Sequence, residues 1–231
     1  MDGYLLIDKP ESISSFGVVA RVRSLISKNT GQKIKIGHTG TLDPAASGLL
    51  ILVLGNYTKR AAEFSKLDKV YEAELTLGSV STTADREGEI TQKSIHRPSE
   101  AEVNKALHTF VGEIMQTPPA FSAIKVGGQR AYKLARAGKE VKMEPRKAFI
   151  YSLDNASYEY PKVKFTVHVS SGTYIRSLAE DIGLLLETGA YLSALKRLSV
   201  GEFKLMGAIK LKQLSLDLLT RNLKSELSNG R

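Results

Sequence analysis

Apolar and polar positions change period several times along this chain, and each period predicts an element. A short apolar run from Gly3 to Ile7 reads as a strand, ended by Asp8-Lys9-Pro10 because proline cannot continue a ladder. From Ser15 the residues Val18, Val22, Leu25 and Ile26 recur at helical spacing, with Arg21, Arg23 and Lys28 elsewhere on the surface. Gly37 to Pro44 holds two glycines, a proline and polar side chains between apolar runs, and is expected as an exposed turn on a rigid support. Tyr71, Ala73, Leu75 and Leu77 alternate with Glu72, Glu74 and Thr76, the period of a half-buried strand. Thr83 to Glu89, with Asp85 and Gly88, reads as a turn.

Ser99 and Glu102 form a capping box ahead of a helix whose inner face is Val103, Ala106, Leu107, Phe110 and Val111. Pro118-Pro119 opens an irregular segment, followed by a short helix from Gln129 to Ala137 closed by Gly138. Phe149 to Asp154 and Lys162 to Val169 read as strands, and Ser171-Gly172 as a turn. A helix is expected from Thr173 to near Gly189 with Ile175, Leu178, Ala179 and Ile182 inward, then Tyr191 to Val200, a turn at Gly201, and a terminal amphipathic helix from Leu211 to Leu227. Strands and helices interleave without a repeated βαβ unit or a linker, so the expectation is one mixed α+β domain over residues 1–231.

Composition narrows the partners. The 231 residues are 42% hydrophobic and 25% charged, an ordinary folded composition, and the absence of cysteine removes disulfides and thiolate chemistry. The longest apolar run, Gly48 to Leu54, is a third of a membrane span, and no basic region precedes an apolar stretch at the N-terminus, so a cytoplasmic protein is expected. Lys and Arg exceed Asp and Glu by 33 − 24 = +9, which points to a polyanion. Lys125, Arg130, Lys133, Arg136, Lys139, Lys142, Arg146 and Lys147 stand against only Glu140 and Glu144 and supply +6 of that total. By itself such a run is most often a solvated face.

Candidate chemistry reduces to one carboxylate. Gly37-His38-Thr39-Gly40 lacks the lysine of a phosphate loop, and His38, His96, His108 and His168 show no ligand spacing, which disfavours nucleotide hydrolysis and a zinc site. Asp43, between Leu42 and Pro44, is ionised at neutral pH and can act as nucleophile, base or cation stabiliser, although Asp before Pro is also a common turn initiator. Paired with Asp85 it could instead serve a glycosidase.

The stretch from Gly37 to Gly48 resembles the central motif of the bacterial tRNA pseudouridine-55 synthases, the TruB family. Four further stretches match in the same order: Leu6 to Pro10, Lys69 to Ala73, Thr117 to Ala123, and Gly172 to Leu178. The resemblance implies the pseudouridine synthase fold, a mixed, mostly antiparallel sheet with flanking helices. It implies isomerisation of uridine 55 in the T loop of tRNA after base flipping, by a monomer with no metal or organic cofactor and no membrane. Asp43 becomes the catalytic aspartate, Tyr71 stacks on the target base, Arg176 pairs with Asp43, and His38 fills the space the nucleotide leaves. Tyr174 and Leu195 complete the pocket, and Lys9 joins Lys125, Arg130, Lys133 and Arg136 on the RNA backbone. The basic stretch becomes part of a thumb-like insertion at about 120–147, hinged at Gly127-Gly128. Members usually continue into a PUA domain, which the roughly 30 residues after Gly201 are too few to build. Whether Asp43 attacks ribose C1′ or uracil C6, or takes the C2′ proton, is left open. An RNA-binding or RNA-folding module is the competing reading.

The thumb carries its own forecast. Replacing Arg130, Lys133 and Arg136 together by Gln should flatten the slope of log affinity against log salt by about 2 to 3, at roughly 0.7 to 0.9 per phosphate contact. A solvated face predicts an unchanged slope in the same titration.

Overall fold

A computed structural model describes residues 1–122 and 124–225. The chain divides into two compact units, Met1–Tyr71 with Lys196–Arg231, and Glu72–Leu195. The first unit opens with β1 (Gly3–Lys9), α1 (Ser15–Thr30), β2 (Ile36–His38), β3 (Ser47–Leu54), α2 (Ala61–Ser65) and the start of β4 (Lys69–Leu77). The second continues with β5 (Ser79–Ser81), β6 (Ile90–Gln92), α3 (Glu100–Thr109), β7 (Gly112–Gln116), β8 (Lys125–Val126), β9 (Gln129–Arg130), α4 (Ala131–Arg136), β10 (Arg146–Glu159), β11 (Lys162–Val169), α5 (Ile175–Leu185) and most of β12 (Ala190–Val200). The chain then returns to the first unit for β13 (Phe203–Lys204), β14 (Ile209–Lys210) and α6 (Leu216–Asn222).

In the first unit β1 pairs antiparallel with β3 along its whole length, while β14 joins β1 in parallel and β2 adds to β3. Alternate side chains of β1 and β3 feed opposite faces. Leu5, Ile7, Leu50 and Leu52 pack beneath Val18, Val22 and Ile26 of α1, and Tyr4, Leu6, Leu49 and Ile51 pack with Phe64 and Phe203 on the other side. That two-sided burial explains why β3 is a continuous apolar run. At Gly48, φ is +103° and a Cβ would lie 2.3 Å from the carbonyl oxygen of Arg197, so only glycine permits the close parallel pairing of Gly48 with Arg197. In the second unit β4, β11, β10 and β7 follow one another, with β11–β10 and β10–β7 antiparallel. The mixed α+β class and the mostly antiparallel sheet agree with expectation.

Several local expectations need correction. Ile36–His38 is a strand, and Thr39 and Leu42 are buried, so Gly37 to Pro44 is only partly an exposed turn. Helix α1 does begin at Ser15, as its spacing predicts, with the Ser14 side chain as its cap, accepting from the Gly17 N–H. Helix α4 begins at Ala131, because Lys125 and Val126 pair with Arg130 and Gln129 in a hairpin. Gly127 and Gly128 have φ of +56° and +82°, and so form the tight hairpin turn in the place assigned to a hinge. Helix α5 spans Ile175–Leu185, ending short of Gly189. The terminal amphipathic stretch is broken: Ser215 caps a separate α6 through the Leu218 N–H, and Lys224 forms an antiparallel bridge to Tyr4. The end of that expected helix, at residues 226 and 227, lies outside the described residues.

Lys69 begins β4 with its ammonium buried, donating to the carbonyls of Ser65, the last residue of α2, and of Leu67. Burial pushes its pKa down to about 8, helped by the Arg197 charge and opposed by Asp68. Between pH 8 and the ordinary lysine value the unfolded chain holds a proton that the folded chain has released, so stability rises with pH there. Urea unfolding from pH 8 to 10 should show a gain on the order of 1 to 2 kcal/mol that Lys69→Met lacks.

Candidate active site

The loop carrying Asp43 is held mainly through its backbone. The Ser15 hydroxyl donates to the Leu42 carbonyl at 2.9 Å and accepts from the Leu42 N–H at 2.8 Å, clamping the residue before Asp43 to the first turn of α1. The Pro44 carbonyl accepts from the Ser12 N–H at 2.9 Å, and the Asp43 carbonyl from the Ala46 N–H at 3.1 Å. Arg197, almost wholly buried, donates Nε to the Leu49 carbonyl at 2.7 Å and Nη2 to the Gly40 carbonyl at 3.0 Å. Lys9 is entirely enclosed, and its Nζ reaches the carbonyls of Ile13 at 2.7 Å, Pro10 at 3.0 Å and Pro44 at 3.5 Å. Lys9 is therefore removed from the RNA backbone set: an ammonium with no exposed surface cannot meet a phosphate, and its role is to hold the Asp43 loop.

Around that loop the first unit gathers His38 and Arg197. Burial lowers the His38 pKa, and the neighbouring Arg197 charge lowers it further, so the ring is neutral at pH 7. Its Nδ1 is buried and makes no hydrogen bond among the described residues. Asp43 is half-buried, and Tyr71 is buried on the inward face of β4.

The second unit carries the other named residues. Gln116 clamps the backbone of Tyr174, accepting from its N–H at 2.7 Å and donating to its carbonyl at 2.9 Å. Ser177 donates to the Thr117 carbonyl at 2.8 Å, tying the first turn of α5 to the Thr117–Pro118 segment. Arg176 lies in that first turn, where the helix dipole disfavours a cation, and its surroundings offset the cost. Its guanidinium donates to the carbonyls of Phe121 at 2.9 Å and Thr83 at 3.3 Å and lies 3.5 Å from Asp85. Asp85 in turn accepts from the Thr83 hydroxyl at 2.6 Å and the Glu87 N–H at 3.0 Å. Leu195 is half-buried in β12. The thumb residues Lys125, Arg130, Lys133 and Arg136 are all exposed, and Arg136 lies 5.8 Å above the Tyr132 ring centre.

Sequence reasoning missed Arg197, Ser15, Gln116 and the pairing role of Asp85. Arg197 had one signal, an arginine within a strand otherwise made largely of apolar and small residues. The others are polar residues whose partners lie far along the chain. Among the described residues no group of three or more His, Asp or Glu could hold a metal ion, and no helix is long and apolar enough to cross a membrane.

Two solved structures share this fold. A Cbf5–Nop10–Gar1 complex matches with a TM-score of 0.71 at 30% identity, over 92% of this chain and 53% of that one. An H/ACA RNP bound to a substrate RNA containing 2′-deoxyuridine matches at 0.68 and 28%, over 92% of this chain and 52% of that one. The chain thus spans about half the length of these structures' matching chains. The model of the TruB family pseudouridylate synthase N-terminal domain matches residues 27–175, and that of the tRNA pseudouridylate synthase B C-terminal domain matches residues 176–228. Two proteins named tRNA pseudouridine synthase B are similar over most of this chain. The one from Clostridium kluyveri is 45% identical over 93% of this chain and 72% of its own length, and the one from Clostridium acetobutylicum 44% over 96% and 75%. The chain belongs to the TruB family of pseudouridylate synthases, RNA isomerases.

The Arg176–Asp85 pair has side chains only 8% exposed. Asp85→Asn removes that buried anion and should cost on the order of 2 to 3 kcal/mol, read as a lower urea midpoint. With Arg176 less firmly oriented, pseudouridine formation should fall at least tenfold while RNA affinity changes little.

Proposed function

We propose that this chain converts uridine 55 in the T loop of tRNA to pseudouridine, with Asp43 as the catalytic carboxylate. The observation that carries the reading is the anchoring of the Asp43 loop: four partners, Ser15, Ser12, Arg197 and Lys9, immobilise Gly40, Leu42 and Pro44 around a single half-buried carboxylate. Such rigidity suits a group that must meet an extruded base in one orientation. Relatives named tRNA pseudouridine synthase B support tRNA as the substrate.

The reaction is a redox-neutral isomerisation. The bond from N1 of uracil to ribose C1′ breaks, the base turns, and a bond from C5 to C1′ forms. C5 loses its proton and N1 gains one, so substrate and product have equal mass. Asp43 supplies the negative charge or covalent handle that lets the first bond break. Tyr71 offers the ring on which the base stacks, Tyr174 and Leu195 contact the substrate, and Arg176, oriented by Asp85, supports catalysis. Neutral His38 fits a flat, uncharged filler for the space the base vacates, consistent with its lowered pKa. Exposed Lys125, Arg130, Lys133 and Arg136 provide phosphate contacts along the T arm. The glycosidase reading is disfavoured, since Asp85 is engaged by Arg176, Thr83 and Glu87 and is not poised as an acid.

Asp43→Asn should fold and bind tRNA with affinity close to wild type while forming no measurable pseudouridine. Nucleoside digestion of treated transcript checks it: pseudouridine from wild type alone supports the reading. Release of free uracil would mean a glycosidase, and unaltered nucleosides with wild type a binding or folding module. A tenth of wild-type activity in the variant would remove Asp43 from the mechanism.

A further inference from the structure

The thumb accounts for much of the positive charge but not for a second concentration of it. Between Ser12 and Leu42 there are five basic residues, Arg21, Arg23, Lys28, Lys33 and Lys35, and no acidic one. The structure puts them on one continuous piece, the outer surface of α1 and its return to β2. All five are exposed, whereas Val18, Val22 and Ile26 of the same helix are buried. Gly31, in the left-handed conformation, ends α1 and turns the chain back toward β2. Arg23 Nη2 donates to the Ile36 carbonyl at 3.3 Å, fastening the helix face to the strand that leads to His38. The neighbouring α6 does not neutralise this surface, because its Asp217 is paired with Arg221 at 2.9 Å.

At the other end of α1 the surface reaches the catalytic loop. Phe16 follows Ser15, whose hydroxyl is locked to Leu42, and is 65% exposed. A bare phenyl beside the Asp43 loop is a face on which a base can stack. The 16 residues of α1 span about 24 Å, enough to follow RNA leaving the active site.

We propose that the outer face of α1 and its return to β2 form a second RNA-binding surface, with Phe16 stacking on a base near the catalytic loop and Arg21, Lys28 and Lys33 holding phosphates of the tRNA beyond the T-arm stem-loop. The idea rests on the tRNA reading above and extends it to a part of the substrate that the thumb does not hold.

Two variants and two RNAs test it. With whole tRNA transcript, the Arg21→Gln/Lys28→Gln/Lys33→Gln variant should weaken binding about tenfold and flatten the salt slope by about 2. With the isolated T-arm stem-loop its affinity and turnover should match wild type. Phe16→Ala should weaken both RNAs about fivefold or more with the salt slope unchanged, as loss of a stacked base requires. Thermal melts of both variants equal to wild type establish that folding is intact. An unchanged slope with whole tRNA, or an equal loss on the stem-loop, overturns the extended phosphate surface. Full affinity in Phe16→Ala overturns the stacking contact. Pseudouridine formation by wild type on the same transcript is scored in parallel, and its absence would sink the catalytic reading without touching the binding result.

Discussion

The Asp43 loop depends on its backbone carbonyls being claimed by side chains from distant parts of the chain. Arg197 reaches Gly40, Lys9 reaches Pro44, and Ser15 takes both polar groups of Leu42. A loop with two glycines and a proline has little order of its own, and fixing each residue costs about 1 to 2 kcal/mol of conformational entropy. Charged donors in a low-dielectric interior are suited to offset that cost, because a hydrogen bond to a charged group contributes about 1.5 to 3 kcal/mol. The same interior makes them unforgiving. Lys9 and Arg197 are among the largest fully buried side chains, so removing the carbonyls they hold would strand a cation.

The rest of the first unit is arranged to bring these donors to the loop. Lys9 is the last residue of β1, and the full-length register of β1 on β3 sets its place. Arg197 is delivered by the parallel pairing of β12 with the first residues of β3, which Gly48 alone can admit. Ser15 arrives through the docking of α1, whose valines and isoleucine fill the core above β1 and β3. Hydrophobic packing therefore sets the frame, and a few buried polar groups convert it into a rigid loop.

The second unit solves a parallel problem with neutral groups as well as charge. Gln116 and Ser177 fix the entry to α5, and Asp85 with two carbonyls surrounds Arg176. The guanidinium, planar and permanently charged, suits that set of partners in a way a lysine does not.

The helix and strand faces were legible in the sequence because they depend on local period: α1, β4 and β11 occur where apolar spacing places them, and so does α3 from Val103 to Leu107, although it ends at Thr109 and leaves Val111, expected on its inner face, exposed. The capping box at Ser99 and Glu102 is present with both bonds formed, since its geometry spans only four residues. The motif around Asp43 marked the family, which the comparisons bear out. What sequence left undecided is long-range. Lys9 looked like a phosphate contact because lysines are usually exposed, and only the closing of three carbonyls around it decided otherwise. The Leu211 to Leu227 stretch has the apolar content of one helix, yet Lys224 is drawn into a bridge with Tyr4, a partner more than two hundred residues away. Periodicity reports which face of a segment is apolar; which polar groups meet across the fold is decided by packing, and local sequence carries no record of it.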